Sequence, residues 1–364
     1  MQMSKAQSTH RERVLEIELM KVVAIAAMVF VHVFERGVNL DFLSPARYAG
    51  AFLINFLGDI PSAGVFMFAM GWGAAFSKHA TVETYLKRGL SLFVLGLMIN
   101  LFEEYLPAIL VPDTYGPLNT VLPSILATDI YFFAALSCLY FALMKALEAR
   151  ARLKILVSIL LVGLCSCVNV LVGFESFTTG NEWLDTILGL FIRVNEYSYF
   201  PLISWIAFPV IGYGIACLYQ RIGMEKFVGF ATLTGTAAIF VSYIFIRVFN
   251  MPDATIVDVI VVRDGVYYAL HPVYALNGYG IIMLEFLLAH SILQLMNNRM
   301  PDSLLAMSKN VTQIYSVQWA VIALLSPLLV PITSIWVNII IGVFVLLVSC
   351  YGGALLKKTN LIRV

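Results

Sequence analysis

Charge is what this sequence has least of. Only 12% of its 364 residues are Asp, Glu, Lys or Arg, and 60% are hydrophobic. Soluble domains carry about 25% charged residues, because a water-facing surface needs polar cover even over a large core. The shortage therefore excludes an ordinary soluble protein of this length and makes lipid the simpler solvent. A mean hydropathy of +0.88 says the same. The near-zero net charge, +1, implies no global electrostatic partner. No basic stripe exists outside segments that flank apolar runs, which argues against nucleic acid as a partner. Cysteine is scarce too. Cys138, Cys165, Cys167, Cys217 and Cys350 all lie inside apolar runs and read as small packing residues. Cys165 and Cys167 are two apart, a spacing that suits neither a zinc site nor a redox pair, so no metal is expected. Long linkers, low-complexity tracts and internal repeats are also missing.

What is present is a series of apolar runs of membrane-spanning length, about 20 residues each. They predict ten helices, near 19–37, 50–76, 84–103, 119–146, 155–173, 199–219, 226–249, 272–296, 304–326 and 331–356. The fold class expected is all-α, a polytopic transmembrane helical bundle. Residues 1–18 form a cytoplasmic N-terminal segment, 19–356 the membrane domain and 357–364 a cytoplasmic tail. Basic Lys5, Arg11 and Arg13 precede the first run, as in a signal peptide. No small-residue cleavage site follows, so a retained first helix is expected. With ten spans and both termini cytoplasmic, the inner side collects eighteen of the 23 Lys and Arg and the outer side five. That asymmetry satisfies the positive-inside rule. Outer loops are then expected at 36–49, 104–118, 174–198 and 250–271. The last holds Asp253, Asp258, Arg263, Asp264 and His271.

The first helix carries the densest chemistry. Glu18, Lys21, Met28, His32 and Glu35 share one face. Lys21 and His32 are eleven residues apart, roughly 16 Å along the axis at 1.5 Å per residue. Ionisable groups at membrane depth are costly and usually face a cavity or a partner. A histidine beside a carboxylate can serve as a general base. It can equally be a buried residue that hydrogen-bonds a neighbouring helix. Asp59, Asp129, Glu285 and His290 are further intramembrane candidates, and packing groups of this kind most often satisfy donors within the bundle. Asp129 would orient His32 or a substrate if the two helices meet. His290 reads as interfacial and His271 as exposed. Trp72 and Trp205 read as packing residues.

The order of several segments resembles the transmembrane acyltransferase superfamily, which includes acyltransferase-3 and heparan-alpha-glucosaminide N-acetyltransferase-like proteins. Glu18, Lys21 and His32 are similar to the opening Asp-Arg…His pattern of acyltransferase-3 members. Lys21 stands in place of Arg and so lacks its bidentate fork. Phe66-Met67-Phe68-Ala69-Met70-Gly71 resembles the second-helix Gly motif. Tyr85-Leu86-Lys87-Arg88 resembles the basic start of the third helix, and Tyr199-Phe200-Pro201-Leu202 with Trp205 a later helix opening. Ser308-Lys309-Asn310, Tyr315 and Trp319 resemble the near-terminal motif, with Gln318 in place of His.

The resemblance implies an enzyme of the bacterial inner membrane. Acetyl-CoA or another acyl-CoA is the donor, and an extracytoplasmic glycan or glycolipid hydroxyl or amine accepts the acyl group. It implies catalytic roles for His32 with Glu35 or Asp129, and donor-binding roles for Lys21, Lys87 and Arg88, which are also ordinary positive-inside anchors. His32 would deprotonate the acceptor or transiently carry the acyl group. Apart from membrane lipid and the acceptor, no partner is implied. Two other readings fit the residues. One is a proton-coupled secondary transporter, although only Gly58, Pro61 and Gly64 interrupt a helix. The other is an inactive family member serving as a scaffold, which the changes at Lys21 and Gln318 would permit.

Overall fold

The computed structural model describes residues 13–37, 58, 60–77, 79–118, 122–148, 150–172, 178–194, 198–249, 270–329 and 334–359. Among them the elements are helical throughout. The long ones are α1 (Leu15–Gly37), α2 (Ile60–Phe76), α3 (Val82–Asn100), α4 (Ile130–Ala146) and α5 (Ala151–Val172). After the short α6 (Glu182–Gly189) come α7 (Ala207–Val248), α8 (Pro272–Leu295), the short α9 (Asp302–Lys309), α10 (Val311–Leu329) and α11 (Ile335–Thr359). Eight runs among the described residues are long and apolar enough to cross a membrane. The longest, Leu202–Val248, is two helices joined at Gly223. Taking its halves separately and adding α2 gives a counterpart for each of the ten expected helices. The chain is an integral membrane protein.

Gly223 explains the join. Its φ of 75° lies in the left-handed region, where an L side chain is strained and glycine is not. Two other expected helices are interrupted, and both breaks shape the site. The run expected at 119–146 opens as a 3₁₀ turn (Leu122–Leu126), breaks, and becomes regular only at Ile130. Asn100 holds the break open, donating from Nδ2 to the carbonyls of Ile125 (2.9 Å) and Ala127 (3.0 Å). The run expected at 304–326 breaks at Asn310, which separates α9 from α10. α1 starts at Leu15 and α11 continues to Thr359, so helix extends past both ends of the expected 19–356 membrane domain. Asp59 and nearly all of 250–271 lie outside the described residues.

α1 is the hub. It packs against α2, α8, α9, α10 and α11. Met20, Ala24, Ile25, Val29, Val33 and Phe34 are all nearly or fully buried along it. Glu16 and Glu18 in its first turn and Arg36 in its last complement the helix dipole. α7 lies against α2 and α8. A Cβ placed on Gly71 would fall 2.0 Å from the Pro209 carbonyl oxygen, and one on Gly212 would fall 2.1 Å from that of Phe68. The two backbones touch because both residues lack side chains, the usual device where apolar burial cannot drive helices together in lipid. The glycine of the Phe66–Gly71 segment is thus a packing residue. α5 is peripheral. Only 11% of its span is buried, and Ile155, Ile159, Leu160 and Leu164 are exposed, as a lipid-facing helix requires.

Candidate functional site

Two breaks and one hub helix bring distant residues to a single cavity. The space is about 930 Å³, near the upper end of the range for ligand pockets. Its mouth is ringed by Arg13, Lys21, Lys87, Arg88, Lys309 and Lys357. Among the described residues no Asp or Glu lines it. The middle is apolar (Phe66, Met70, Leu92, Ile130, Ala134), and Tyr131 and Tyr315 also line the cavity. These two rings meet edge to face at 5.1 Å. The Tyr131 hydroxyl donates to the Thr312 carbonyl at 2.6 Å and pairs with Ser316 Oγ at 2.9 Å. The Tyr315 hydroxyl donates to Asp129 Oδ1 at 2.6 Å.

His32 lies behind Tyr315. The two rings are 6.0 Å apart, edge to face, and the imidazole stacks on Trp319 at 4.3 Å. Gln318, fully buried, places its Nε2 3.0 Å from His32 Nδ1. With the amide nitrogen donating, Nδ1 is the acceptor and the ring proton sits on Nε2. Turned over, the amide oxygen accepts from Nδ1–H and leaves Nε2 with a free lone pair. The Gln318 oxygen has no other hydrogen-bond partner among the described residues.

One turn beyond His32, Arg36 closes this end. It pairs with Glu104 at 3.4 Å and Glu103 at 3.7 Å, and donates to the Glu103 carbonyl at 3.1 Å. Its guanidinium also lies over Trp319 (5.6 Å) and Tyr115 (5.3 Å). Neighbours in an α-helix point 100° apart. Here residues Leu101–Tyr105 form a π-turn and both carboxylates are buried. Such a turn is a local widening often found at functional sites.

The sequence-predicted residues divide accordingly. Lys21, Lys87 and Arg88 all line the cavity mouth. Lys21 is bridged to Glu18 at 2.9 Å, and Glu18 also accepts from Ser308. Lys87 is bridged to Glu83 at 2.7 Å in full solvent exposure. Asp129 reaches the His32 neighbourhood through Tyr315. Glu35, expected to share a face of α1 with Lys21 and His32, is exposed. Among the others, His290 Nδ1 pairs with Glu16 at 2.9 Å and ties α8 to the start of α1. His271, expected to be exposed, is half-buried and caps α8, its Nδ1 accepting from Val273 N–H. Burial holds its imidazole below the ordinary histidine range. Both Glu285 carboxylate oxygens are buried without a hydrogen-bond partner among the described residues. Trp72 and Trp205 are packing residues.

The family model of the acyltransferase domain, acyltransferase-3, matches residues 14–355. The chain belongs to this family. No curated protein and no solved structure matches it. The acyltransferase match takes in every residue that lines the cavity except Arg13 at one end and Lys357 at the other. Sequence reasoning about this membrane acyltransferase missed Arg36, Glu103, Glu104 and Tyr131. The signal for the acidic pair was available, as two adjacent carboxylates at the end of an apolar run. Arg36 was counted with an outer loop. Lys357 was counted only as an inner anchor, and Lys309 as an inner anchor within the near-terminal motif.

Proposed function

We propose that the protein transfers an acyl group, acetyl being the first choice, from cytoplasmic acyl-CoA to a hydroxyl or amine of an extracytoplasmic carbohydrate. The observation that supports this reading is the cavity, which runs from a six-cation mouth to the tyrosine that abuts His32. Phosphates of the donor would meet Lys21, Lys87 and Arg88 in charge-assisted hydrogen bonds. The apolar middle suits an uncharged arm that carries the thioester inward. The positive-inside asymmetry supports a mouth on the cytoplasmic side, and a bacterial inner membrane is the setting the family suggests.

His32 is the proposed general base. In the turned-over amide state Gln318 accepts from Nδ1–H and Nε2 takes the proton of the acceptor. The acceptor oxygen or nitrogen then bonds to the thioester carbonyl carbon, and the C–S bond breaks. His32 returns its proton to the departing thiolate, which leaves as the thiol. A glutamine can serve either ring tautomer because it offers a donor and an acceptor, so Gln318 is compatible with an active enzyme. Asp129 positions Tyr315 rather than touching the imidazole. Family membership supports an enzyme over a proton-coupled carrier.

The test is release of free CoA from acetyl-CoA by purified wild type and His32→Ala in detergent, with thermal stability followed for both. Release by wild type and a loss of about 10²- to 10⁴-fold in an equally stable variant is the expected result. A wild type that neither binds nor turns over acetyl-CoA or longer acyl-CoAs would remove the proposal.

A further inference from the structure

The cations of the cavity mouth form two unequal groups. On α3, Lys87 already has Glu83 at 2.7 Å, whereas Arg88 has no carboxylate within ion-pair distance among the described residues. Facing the same space are Arg13, just before α1, Lys21 on α1, Lys309 on α9 and Lys357 on α11. Glu18 serves both Arg13 (3.7 Å) and Lys21 (2.9 Å). Among the described residues no carboxylate lies within ion-pair distance of Lys309 or Lys357. Lys357 is instead fixed by neutral oxygens, the Lys309 carbonyl at 3.0 Å and Asn310 Oδ1 at 2.7 Å. Both acceptors are supplied by the break between α9 and α10. The break therefore aims one ammonium group and holds it beside another.

Among the described residues these four cations have one carboxylate, Glu18, and they repel one another unless an anion joins them. A phosphomonoester carries a charge of about −1.5 to −2, more than either phosphate of a diphosphate diester. We infer that the Arg13–Lys21–Lys309–Lys357 wall binds a phosphomonoester distinct from the diphosphate met by Lys87 and Arg88, and so selects 3′-phosphorylated CoA donors over their dephospho counterparts. This rests on the acyl-CoA reading above. The same chemistry is offered by the headgroup of an anionic phosphomonoester lipid, and the experiment separates the two.

CoA release is measured with acetyl-CoA and with acetyl-dephospho-CoA in phosphatidylcholine nanodiscs. The proteins are wild type, the Lys309→Ala/Lys357→Ala pair, the Lys309→Arg/Lys357→Arg pair and Arg88→Ala. Wild type is expected to favour acetyl-CoA by about tenfold or more in KM, the worth of one or two charge-assisted hydrogen bonds. In the alanine pair the KM for acetyl-CoA should rise to meet that for acetyl-dephospho-CoA. The arginine pair should restore the gap, and Arg88→Ala should weaken both donors alike. An undiminished preference in the alanine pair overturns the inference, as does a wild type without preference. A preference erased by adding phosphatidic acid assigns the wall to lipid and also overturns it. A wild type that uses neither donor brings down the acyl-CoA reading itself, a result distinguishable from the others.

Discussion

The two ends of the site treat charge in opposite ways. At the mouth, six cations share a rim whose lining has no carboxylate among the described residues. Beyond His32, one cation, Arg36, is matched by two carboxylates and capped by two aromatic rings. Among the described residues the first has more cations than carboxylates, Glu18 and Glu83 being shared among six, and so leaves charge for an anion to join. The second is paired from within the protein and ties α1 to the π-turn that follows α3 and to α10. Charge at the mouth should therefore govern ligand binding, and charge at the closed end should govern stability.

The largest break in that contrast is Arg36→Ala. Removing one partner of a buried network strands the other charges, at a cost of about 3–5 kcal/mol. Thermal unfolding in detergent reads it, and Arg36→Lys should recover only part because it lacks the planar fork. An unchanged melting temperature would mean the closed end is not held by charge. Next comes Tyr315→Phe, which leaves a buried Asp129 oxygen without its donor and should cost about 1–3 kcal/mol. The same unfolding assay checks it.

At the mouth the expectation reverses. Arg88→Ala should raise the donor KM about tenfold while leaving the melting temperature in place. Lys87→Ala should do far less, because its exposed pair with Glu83 is worth at most about 1 kcal/mol. Equal effects from the two would erase the distinction between free and matched cations. Glu285→Met takes away a buried carboxyl that has no hydrogen-bond partner among the described residues, and should raise stability by about 1 kcal/mol. A loss of stability there would reveal a polar contact for that carboxyl.

The smallest effect lies in the loop before α6. Hydrogen bonds from Thr179 Oγ1, the Thr179 N–H and Thr178 Oγ1 hold the Asp185 carboxyl below the ordinary carboxylate range. A depressed folded value means the contribution is present above the unfolded pKa of about 3.9 and fades as pH falls through the lower folded one. Amide exchange at Gly180–Leu184 should therefore quicken only in acid below about pH 4.

Much of this was legible along the chain, for reasons that differ by residue. Lys21, Lys87 and Arg88 were found because basic residues at helix ends are a one-dimensional signal, and all three line the mouth. The helix pair around Gly223 was found because charged Arg221 and Lys226 interrupt the apolar run. The start of α4 was misplaced because Leu122–Leu126 is as apolar as the helix it precedes. What breaks the segment there is a pair of hydrogen bonds from Asn100, a residue on another helix. Glu35 was put on one face with His32 by helical phase alone, and phase does not say which neighbour occupies that side.

By itself the sequence determined the solvent, the all-helical class and the number and order of the helices. Each of these follows from how much apolar surface a short stretch presents, and that is a local sum. Only the tertiary structure decided that His32 meets Gln318 and Trp319 from 286 positions and more away. Likewise, only packing gave Asp129 to Tyr315, and Arg36 to two carboxylates turned inward by a π-turn. Such pairings depend on the approach of helix backbones, as at Gly71 and Gly212, and on where breaks let side chains turn into the bundle. Neither is a property of any one segment.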